Sequence, residues 1–414
     1  MSKSNKLLLF FTGSYPFGRQ EAFIENEIGY LAAAFDRVIV FPQTRSQTLR
    51  PVPSNVEVFP LPEYGGWRKG LLLLWNACRS RIFWNALSEI RDGNDPLYRL
   101  RMLISYVGLA EIYRNAVINR VSSDAERGCD IYLYSYWLDR NALAMVMLKE
   151  RVRARNVVSR VHGFDVYEER NPDAYLPLRK EILKGLDAVH SISTDASEYL
   201  KNKYPGLTKY FVFRLGTERG AWVGRRSSKG LHFISVSNVI PLKRVALIAR
   251  SIHAFARLSP ETPIRWTHFG DGALFDELKD LVAGFSSSNL TVDLRGGQLN
   301  AVVKAFYEAT PLDLFINLSE SEGIPVSFME AMSYGVPVLA TNVGGVGEII
   351  DSNCGYILPA DVSFEQVAER IRDIANDRAQ LDEVSLQALR VWTEKFSADV
   401  AYPKFCNALM GEAG

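Results

Sequence analysis

Short apolar segments alternate with longer amphipathic segments along most of the chain, and this alternation constrains the fold more than any other feature. Apolar strands that alternate with helices are typical of a parallel sheet with helices on both faces. The segments that we expect to form strands fall into two series. The first consists of 6–12, 37–42, 130–136, 156–161, 188–191 and 210–214, and the second of 231–239, 264–269, 290–294, 312–318, 336–341 and 355–358.

The two series are separated by a stretch with the composition of a linker. Residues 218–230, ERGAWVGRRSSKG, are rich in Gly, Ser and Arg. A chain of 414 residues is also long enough for two domains. We therefore predict two doubly wound, Rossmann-like α/β domains, 1–217 and 231–395, which face each other across a cleft. Ligands of such sheets bind beyond the carboxyl ends of the strands.

Composition excludes several classes of protein. Lys and Arg total 48 and Asp and Glu total 47, so a nucleic-acid-binding protein is not expected. The four cysteines are far apart and form no CxxC pair, which argues against structural zinc and a disulfide framework. The longest apolar run near the N-terminus, Leu7–Phe11, is too short to span a membrane, and no export signal is evident. We expect a cytoplasmic protein, with peripheral attachment to the inner face of the cell membrane left open.

The sequence SEGIPVSFMEAMSYG, residues 321–335, holds two carboxylates near one predicted helix. Pro325 suits the first turn of a helix and Gly335 suits its end, which predicts a helix from about Pro325 to Tyr334. Free amides and the positive dipole end make its N-terminus a phosphate site. Glu330 lies about 7–8 Å from that N-terminus along the helix axis. This layout suits a nucleoside diphosphate-sugar, although Glu322 as a charge that complements the dipole and Glu330 as an exposed side chain remain alternatives.

The same stretch resembles the donor-site signature of the family-four retaining glycosyltransferases, which have the GT-B fold. The resemblance continues through LATNVGGVGEII, residues 339–350. Weaker matches are GSYPFG near the N-terminus, RVHGFDVY, SVSNVIPLKR and HFGDG. The resemblance suggests enzymes that build bacterial exopolysaccharide, capsule or O-antigen chains. It also implies that the last segment, about 396–414, crosses back to the first domain.

The resemblance implies roles for individual donor-side residues. Glu322 would contact hydroxyls of the transferred sugar, Glu330 would bind the ribose, and Lys243 would bind the donor phosphates. Backbone amides of Gly323, Ile324 and Val326 would hold the sugar and the diphosphate. The resemblance also implies that no metal ion or other cofactor is needed. In that case the helix N-terminus and Lys243 would have to neutralise the leaving diphosphate.

The loop that holds Lys243 departs from the family pattern. Many members have an arginine five positions before this lysine, where this chain has Asn238, which brings no charge. Arg244 or Arg214 is expected to compensate. Arg295 and Gly296 fall where the family places the nucleobase. A simple turn explains the glycine pair Gly296-Gly297 equally well. The base is therefore predicted only as uridine or guanosine.

His162 is the strongest candidate in the first domain. It follows a predicted strand, and the resemblance implies a hydrogen bond to the donor sugar near the reacting carbon or to the acceptor. With Glu322 and Lys243 it forms the predicted catalytic set. On the acceptor side we expect Gly13, Ser14, Trp137 and Asp165, the last also explicable as a loop cap. Glu25, Asn26 and Glu27 are expected to face solvent on the following helix.

One segment, 66–101, combines Trp and Leu with basic residues. It contains seven Lys or Arg against three Asp or Glu. This composition suits a helix that lies in an anionic membrane interface, and it equally suits a helix packed on the sheet with a basic outer face.

The predicted function is transfer of a hexose from a UDP- or GDP-sugar to a glycan or a lipid-linked oligosaccharide. A glycosidase with Glu322 and Glu330 as its two carboxylates is less favoured, because the two do not obviously flank one bond. A nucleotide-sugar epimerase or hydrolase of the same fold, and a non-catalytic nucleotide-sugar-binding protein, remain alternatives. The sequence indicates no oligomeric state.

Overall fold

The computed structural model describes residues 5–18, 20–91, 93–126, 128–220 and 230–412. It divides into two compact units. Unit 1 consists of Met1–Arg214 with Tyr402–Gly414, and unit 2 of Leu215–Ala401. Most of the predicted linker, 218–230, lies outside the described residues.

Unit 1 contains a parallel sheet of seven strands in the order β3-β2-β1-β4-β5-β6-β7. The chain starts at the centre, moves to one edge and then returns to build the other half. The adjacent loops after β1 and β4 therefore diverge, which marks the usual ligand position in such sheets. The strands are β1 (Lys6–Thr12), β2 (Arg37–Pro42), β3 (Val56–Val58), β4 (Asp130–Ser135), β5 (Asn156–Val161), β6 (Ala188–Ser191) and β7 (Lys209–Val212).

Helices cover both faces of this sheet, as the buried apolar strands require. Between β2 and β4 the chain forms three helices that the alternation pattern alone did not resolve. The helices of unit 1 are α1 (Glu25–Ala34), α2 (Gly66–Arg79), α3 (Arg81–Asn85), α4 (Pro96–Glu126), α5 (Arg140–Val152), α6 (Arg179–Gly185) and α7 (Thr194–Lys203).

Unit 2 contains a parallel sheet of six strands in the order β10-β9-β8-β11-β12-β13. The chain builds one half of this sheet outward from β8 and the other half outward from β11, so the loops after these two strands diverge. The strands are β8 (Leu231–Val236), β9 (Ile264–Phe269), β10 (Leu290–Leu294), β11 (Leu314–Asn317), β12 (Val338–Thr341) and β13 (Gly355–Leu358). The helices are α8 (Val245–Leu258), α9 (Phe275–Ala283), α10 (Asn300–Ala309), α11 (Val326–Ser333), α12 (Val346–Ile349), α13 (Phe364–Asn376), α14 (Arg378–Lys395) and α15 (Ala398–Leu409).

The prediction of two Rossmann-like parallel sheets is confirmed by these two strand orders. Seven of the twelve predicted strands have the observed bounds, and the ends of the other five differ by at most three residues, because an apolar run continues into the loop that it anchors. The last helix, α15, leaves unit 2 and enters unit 1 at Tyr402. There Phe405 and Leu409 are buried in the core beside β1 and β4.

The prediction that Asn26 and Glu27 face solvent is wrong, since both are buried on α1, and only Glu25 is exposed. Glu27 accepts a hydrogen bond from Arg160 on β5 at 2.5 Å, and both side chains are fully buried. The Arg160 guanidinium also stacks on Phe405, 3.9 Å from the ring centre. A charged residue is tolerated at this depth because its partner compensates it. The pair ties β5 to α1 and α15.

None of the helices within the described residues is both long enough and apolar enough to cross a membrane.

Candidate functional site

The loop and helix that follow β11 form the centre of the candidate site in unit 2. Pro325 precedes α11 with φ −72°, and no described side chain caps the helix N-terminus. The first-turn amides are therefore available to an anion. Gly335, two residues after the last helical residue, has φ +71° and stops the helix. The observed helix, Val326–Ser333, is one residue shorter at each end than predicted.

Glu322 lies in this loop and is held by three donors. Its Oε1 accepts hydrogen bonds from Lys243 Nζ at 2.7 Å, Ser319 Oγ at 2.6 Å and Asn317 Nδ2 at 3.1 Å. The residue is only 8% exposed. Glu322 is thus a fixed carboxylate, and among the described residues no donor bonds its Oε2. A pre-positioned carboxylate with one oxygen left over is suited to a sugar hydroxyl.

Lys243 reaches Glu322 from a short 3-10 turn, Pro241–Lys243, in the loop after β8. The next residue, Arg244, has φ +45° and donates from Nε to the carbonyl oxygen of Leu318 at 2.5 Å. Its guanidinium therefore ties the end of β11 to the start of α8. Asn238 is exposed in the same loop. Arg214, the other residue expected to compensate for Asn238, belongs to unit 1.

A glycine in the loop after β12 allows close approach to Glu322. Gly344 has φ +50°, and a Cβ there would lie 1.9 Å from the Glu322 carbonyl oxygen. Beside it, the Gly345 amide donates to the Gly323 carbonyl oxygen at 3.1 Å. The sequence VGG is thus explained by backbone contact with the loop that carries Glu322. Ile324 is buried, and Val326 is half-buried at the helix start.

Glu330 is not the exposed helix side chain that was left open as an alternative. It is 8% exposed and lies among fully buried neighbours on α11. Its Oε1 accepts a hydrogen bond from Asn300 Nδ2 at 2.9 Å. Asn300 is the first residue of α10, so the loop after β10 and the side of α11 meet at this carboxylate. Burial raises the pKa of nearby Tyr307, and the Glu330 charge acts in the same direction.

Arg295 and Gly296 lie in the loop after β10. The Arg295 guanidinium donates to Asp293 at 2.7 Å, and the side chain is about half exposed. Gly296 has φ +63° and its carbonyl oxygen accepts from the Gly270 amide at 2.9 Å. The structure therefore shows that this glycine forms a turn that joins two strand ends.

In unit 1 the loop after β1 holds a carboxylate that the sequence did not single out. Glu21 accepts hydrogen bonds from the amides of Gly13 at 2.9 Å, Ser14 at 2.6 Å and Tyr15 at 2.6 Å. Its Oε1 also accepts from Trp137 Nε1 at 2.5 Å. Glu21 itself has φ +54°. The predicted acceptor-side residues Gly13, Ser14 and Trp137 are therefore brought together by one buried carboxylate.

Trp137 and His162 meet at the carboxyl ends of β4 and β5. Their ring centres are 4.3 Å apart, and Tyr136 stacks on His162 with ring centres 4.5 Å apart. Phe164 adds a ring 4.8 Å from Trp137 and is 58% exposed. These side chains form an aromatic shelf, defined here as Tyr136, Trp137, His162 and Phe164.

His162 has no hydrogen-bond partner for either ring nitrogen among the described residues. Its Nδ1 lies 4.0 Å from Asp165 Oδ2, which is beyond hydrogen-bond distance. Burial lowers the pKa of His162, so the ring is neutral near pH 7. A neutral imidazole can both donate and accept a hydrogen bond.

Asp165 is a loop cap, the alternative that the sequence left open. Oδ1 accepts from the amides of His162 at 2.9 Å and Gly163 at 3.1 Å, and Oδ2 accepts from the Leu138 amide at 3.0 Å. Burial acts to raise the pKa of Asp165, but His162 and these amides outweigh it and the pKa is lowered. Arg179, also missed by sequence reasoning, donates to the carbonyl oxygens of Leu138 and Asp165. Asp165 therefore fixes the loop that presents His162.

Both the sequence and the fold resemble those of known proteins. Residues 222–389 match the family model of glycosyl transferases group 1. Among curated proteins, the chain is 25% identical over 258 residues to N-acetyl-alpha-D-glucosaminyl L-malate synthase of Bacillus anthracis, covering 59% of this chain and 65% of the relative. It is 24% identical over 247 residues to the putative colanic acid biosynthesis glycosyltransferase WcaL of Salmonella typhimurium, covering 57% and 59%.

Both curated matches span less than two thirds of the relative's own length. The fold comparison covers nearly the whole chain. Anabaena HepE, solved in complex with UDP and glucose, superposes with a TM-score of 0.63 at 15% identity, covering 97% of this chain and 98% of HepE. This likeness confirms the predicted GT-B fold class. The match to the glycosyl transferases group 1 model falls within unit 2, which holds Lys243, Glu322 and Glu330.

Proposed function

We propose that the protein is a retaining glycosyltransferase that moves a hexose from a UDP- or GDP-sugar to a glycan or lipid-linked oligosaccharide. The observation that carries this proposal is the arrangement around α11. A fixed carboxylate, Glu322, and a cation, Lys243, lie ahead of the uncapped helix N-terminus, and a second buried carboxylate, Glu330, lies along its side. A nucleoside diphosphate-sugar offers hydroxyls, phosphates and ribose in that order.

The donor would be held by complementary groups. Lys243 and the first-turn amides, including that of Val326, would bind the diphosphate, whose charge grows as the sugar leaves. Glu322 would accept a hydrogen bond from the sugar, and Glu330 from the ribose. Lys243 would have to exchange part of its contact with Glu322 for a phosphate oxygen. These groups could stabilise the leaving diphosphate without a metal ion.

The acceptor would be held by unit 1. Neutral His162 can bond a sugar hydroxyl, and the aromatic shelf offers an apolar face to a sugar ring. In the proposed reaction the bond between the anomeric carbon and the β-phosphate oxygen breaks. A bond to the acceptor oxygen forms on the same face, and the displaced phosphate oxygen takes the acceptor proton. The products are a glycoside and a nucleoside diphosphate.

The described roles of the relatives point to a pathway. The Salmonella relative is described as a colanic acid biosynthesis enzyme, and the HepE structure contains UDP and glucose. These descriptions support bacterial surface polysaccharide, whether exopolysaccharide, capsule or O-antigen, as the product and a uridine nucleotide as the first donor to test. Free thiols at all four cysteines suit a reducing compartment, so we propose work on the cytoplasmic side of the membrane.

The test has two steps. Thermal shifts with UDP-glucose, UDP-galactose, UDP-N-acetylglucosamine and GDP-mannose identify the donor, since a bound ligand stabilises the fold. Mass spectrometry of reactions with that donor and a panel of alkyl glycosides then detects transfer, and the coupling constant of the new anomeric proton reports retention. Glu322→Gln should slow transfer about a hundredfold, and Glu320→Gln, an exposed neighbour, should not slow it. Hydrolysis or epimerisation without transfer would overturn the proposal, and so would donor binding without any turnover.

A further inference from the structure

Helix α2 packs on α4 through only one of its faces. Leu73 and Ala77, four residues apart, are buried in the core of unit 1. The approach is close, because a Cβ at Gly108 of α4 would lie 2.5 Å from the Leu73 carbonyl oxygen. The buried face accounts for part of the Leu-rich sequence of α2. It does not account for the apolar residues on the opposite face.

The outer face of α2 is a continuous apolar stripe. Trp67 is 74% exposed, Leu71 59%, Leu74 43% and Trp75 62%. Their spacing, i, i+4, i+7 and i+8, places them on one side of the helix. Trp84 on α3 is also exposed. Its indole nitrogen donates a hydrogen bond to the carbonyl oxygen of Cys78 on α2 at 2.8 Å, so Trp84 lies beside the end of α2 and extends the stripe. Large exposed apolar patches of this kind mark interaction surfaces.

Positive charges border the stripe without acidic neighbours in the same segment. Residues 66–85 contain four Lys or Arg and no Asp or Glu. The Arg68 guanidinium lies 5.7 Å from the Trp67 ring centre, and that of Arg79 lies 5.3 Å from Trp75. The cations therefore lie beside the aromatic rings that would enter an apolar phase.

A cavity of about 690 Å³ lies at the end of α2 and is lined by Arg79, Arg81 and Arg114. Glu111 forms an ion pair with Arg114 at 2.8 Å. Neither Arg79 nor Arg81 forms an ion pair with any described residue. Two arginines without acidic partners at the end of an exposed Trp-Leu stripe suit the phosphate of a lipid head group.

We propose that this surface, the α2 stripe with Arg68, Arg79 and Arg81, binds the interface of an anionic lipid bilayer. Tryptophan favours the head-group region, and basic residues beside an apolar helix face are attracted by anionic lipids. A second copy of the chain is a poorer occupant, because a symmetric contact would bring the same unpaired cations together. The inference does not depend on the proposed sugar transfer.

The test uses the purified full chain and sedimentation with vesicles in 0.1 M NaCl. One set contains phosphatidylcholine only, and the other contains phosphatidylcholine with 30% phosphatidylglycerol. We expect at least tenfold stronger partitioning to the anionic vesicles, which 0.5 M NaCl reduces by screening. Trp67→Ala with Trp75→Ala should lower that partitioning at least tenfold. Each of Arg68→Gln, Arg79→Gln and Arg81→Gln should lower it about fivefold.

Matched controls lie on α14, where Leu386 and Arg390 are exposed. Leu386→Ala and Arg390→Gln should leave vesicle binding unchanged. Circular dichroism and thermal unfolding of all variants show whether the fold is intact. Equal binding to both vesicle types, or unchanged binding by the Trp67/Trp75 variant, would overturn the proposal. A dimer seen by light scattering and lost in that variant would also overturn it, since the stripe would then be a subunit interface.

Discussion

Lys243 Nζ lies 2.7 Å from Glu322 Oε1, so two residues that were assigned to different parts of a donor form one ion pair. The pair is mostly buried, which makes each member costly to leave alone. Lys243 is thereby held beside the α11 N-terminus. The ion pair therefore couples two residues of the proposed transfer reaction to each other.

Removal of the Glu322 charge should affect turnover more than nucleotide binding. In Glu322→Gln the contact with the sugar weakens while Lys243 becomes available to phosphate. We expect kcat to fall about a hundredfold, in the range for loss of one group that acts in the transition state. The dissociation constant for UDP should change less than threefold by calorimetry. A larger loss of UDP affinity than of kcat would show that Glu322 supports the nucleotide site instead.

Glu330 should determine nucleotide affinity. Glu330→Ala removes a charged acceptor, and we expect UDP binding to weaken about 10- to 100-fold. The matched control is Glu308→Ala, an exposed glutamate on α10, which should change nothing. A dideoxyribose analogue of UDP sharpens the test. Wild type should lose affinity for the analogue, whereas Glu330→Ala should bind both nucleotides equally. A preference for UDP that persists in the variant would exclude the ribose role.

Glu21 should stabilise unit 1 through the five hydrogen bonds that its carboxylate accepts, three from backbone amides and two from the Ser14 hydroxyl and the Trp137 indole. In Glu21→Gln one carboxylate oxygen becomes an NH₂ group that faces backbone N–H groups, so donors are left without an acceptor. We expect the free energy of unfolding of unit 1 to fall by about 1–3 kcal/mol. Glu25→Gln, which disrupts only the partly exposed pair with Arg50, should cost at most about 1 kcal/mol. Urea unfolding measures both. Equal losses in the two variants would contradict the role of Glu21.

Two buried histidines should make unit 2 less stable in weak acid. Burial lowers the pKa of His232 and of His268 to about 4, from an ordinary value of 6.5. The folded state therefore binds fewer protons than the unfolded state below pH 6.5, and stability falls as pH drops toward 4. Each histidine contributes at most about 1.4 kcal/mol per pH unit. His268→Asn should remove about half of this slope between pH 6.5 and 4.5, and an unchanged slope would refute the assignment.

Local patterns predicted the helix of the candidate donor site and the residue types beside it. The α11 helix could be read from Pro325 and Gly335, because both act on the backbone of their own neighbours. Glu322 and Glu330 were found because the helix start fixes their spacing. Glu21, Arg179 and the buried state of Glu27 could not be predicted, since their partners are distant in sequence. Glu21 meets Trp137 from 116 positions away, and Glu27 meets Arg160 from 133.

The sequence by itself determined the two parallel sheets, the helix at the candidate donor site and the residue types around it. These follow from periodicity and from the φ restrictions of proline and glycine, which operate within a few residues. Only the tertiary structure decided which polar groups meet. It placed Lys243 on Glu322, Asn300 on Glu330 and Glu21 on the loop after β1. The strand order determines which loops adjoin, and a buried carboxylate must find its donors among the groups brought there.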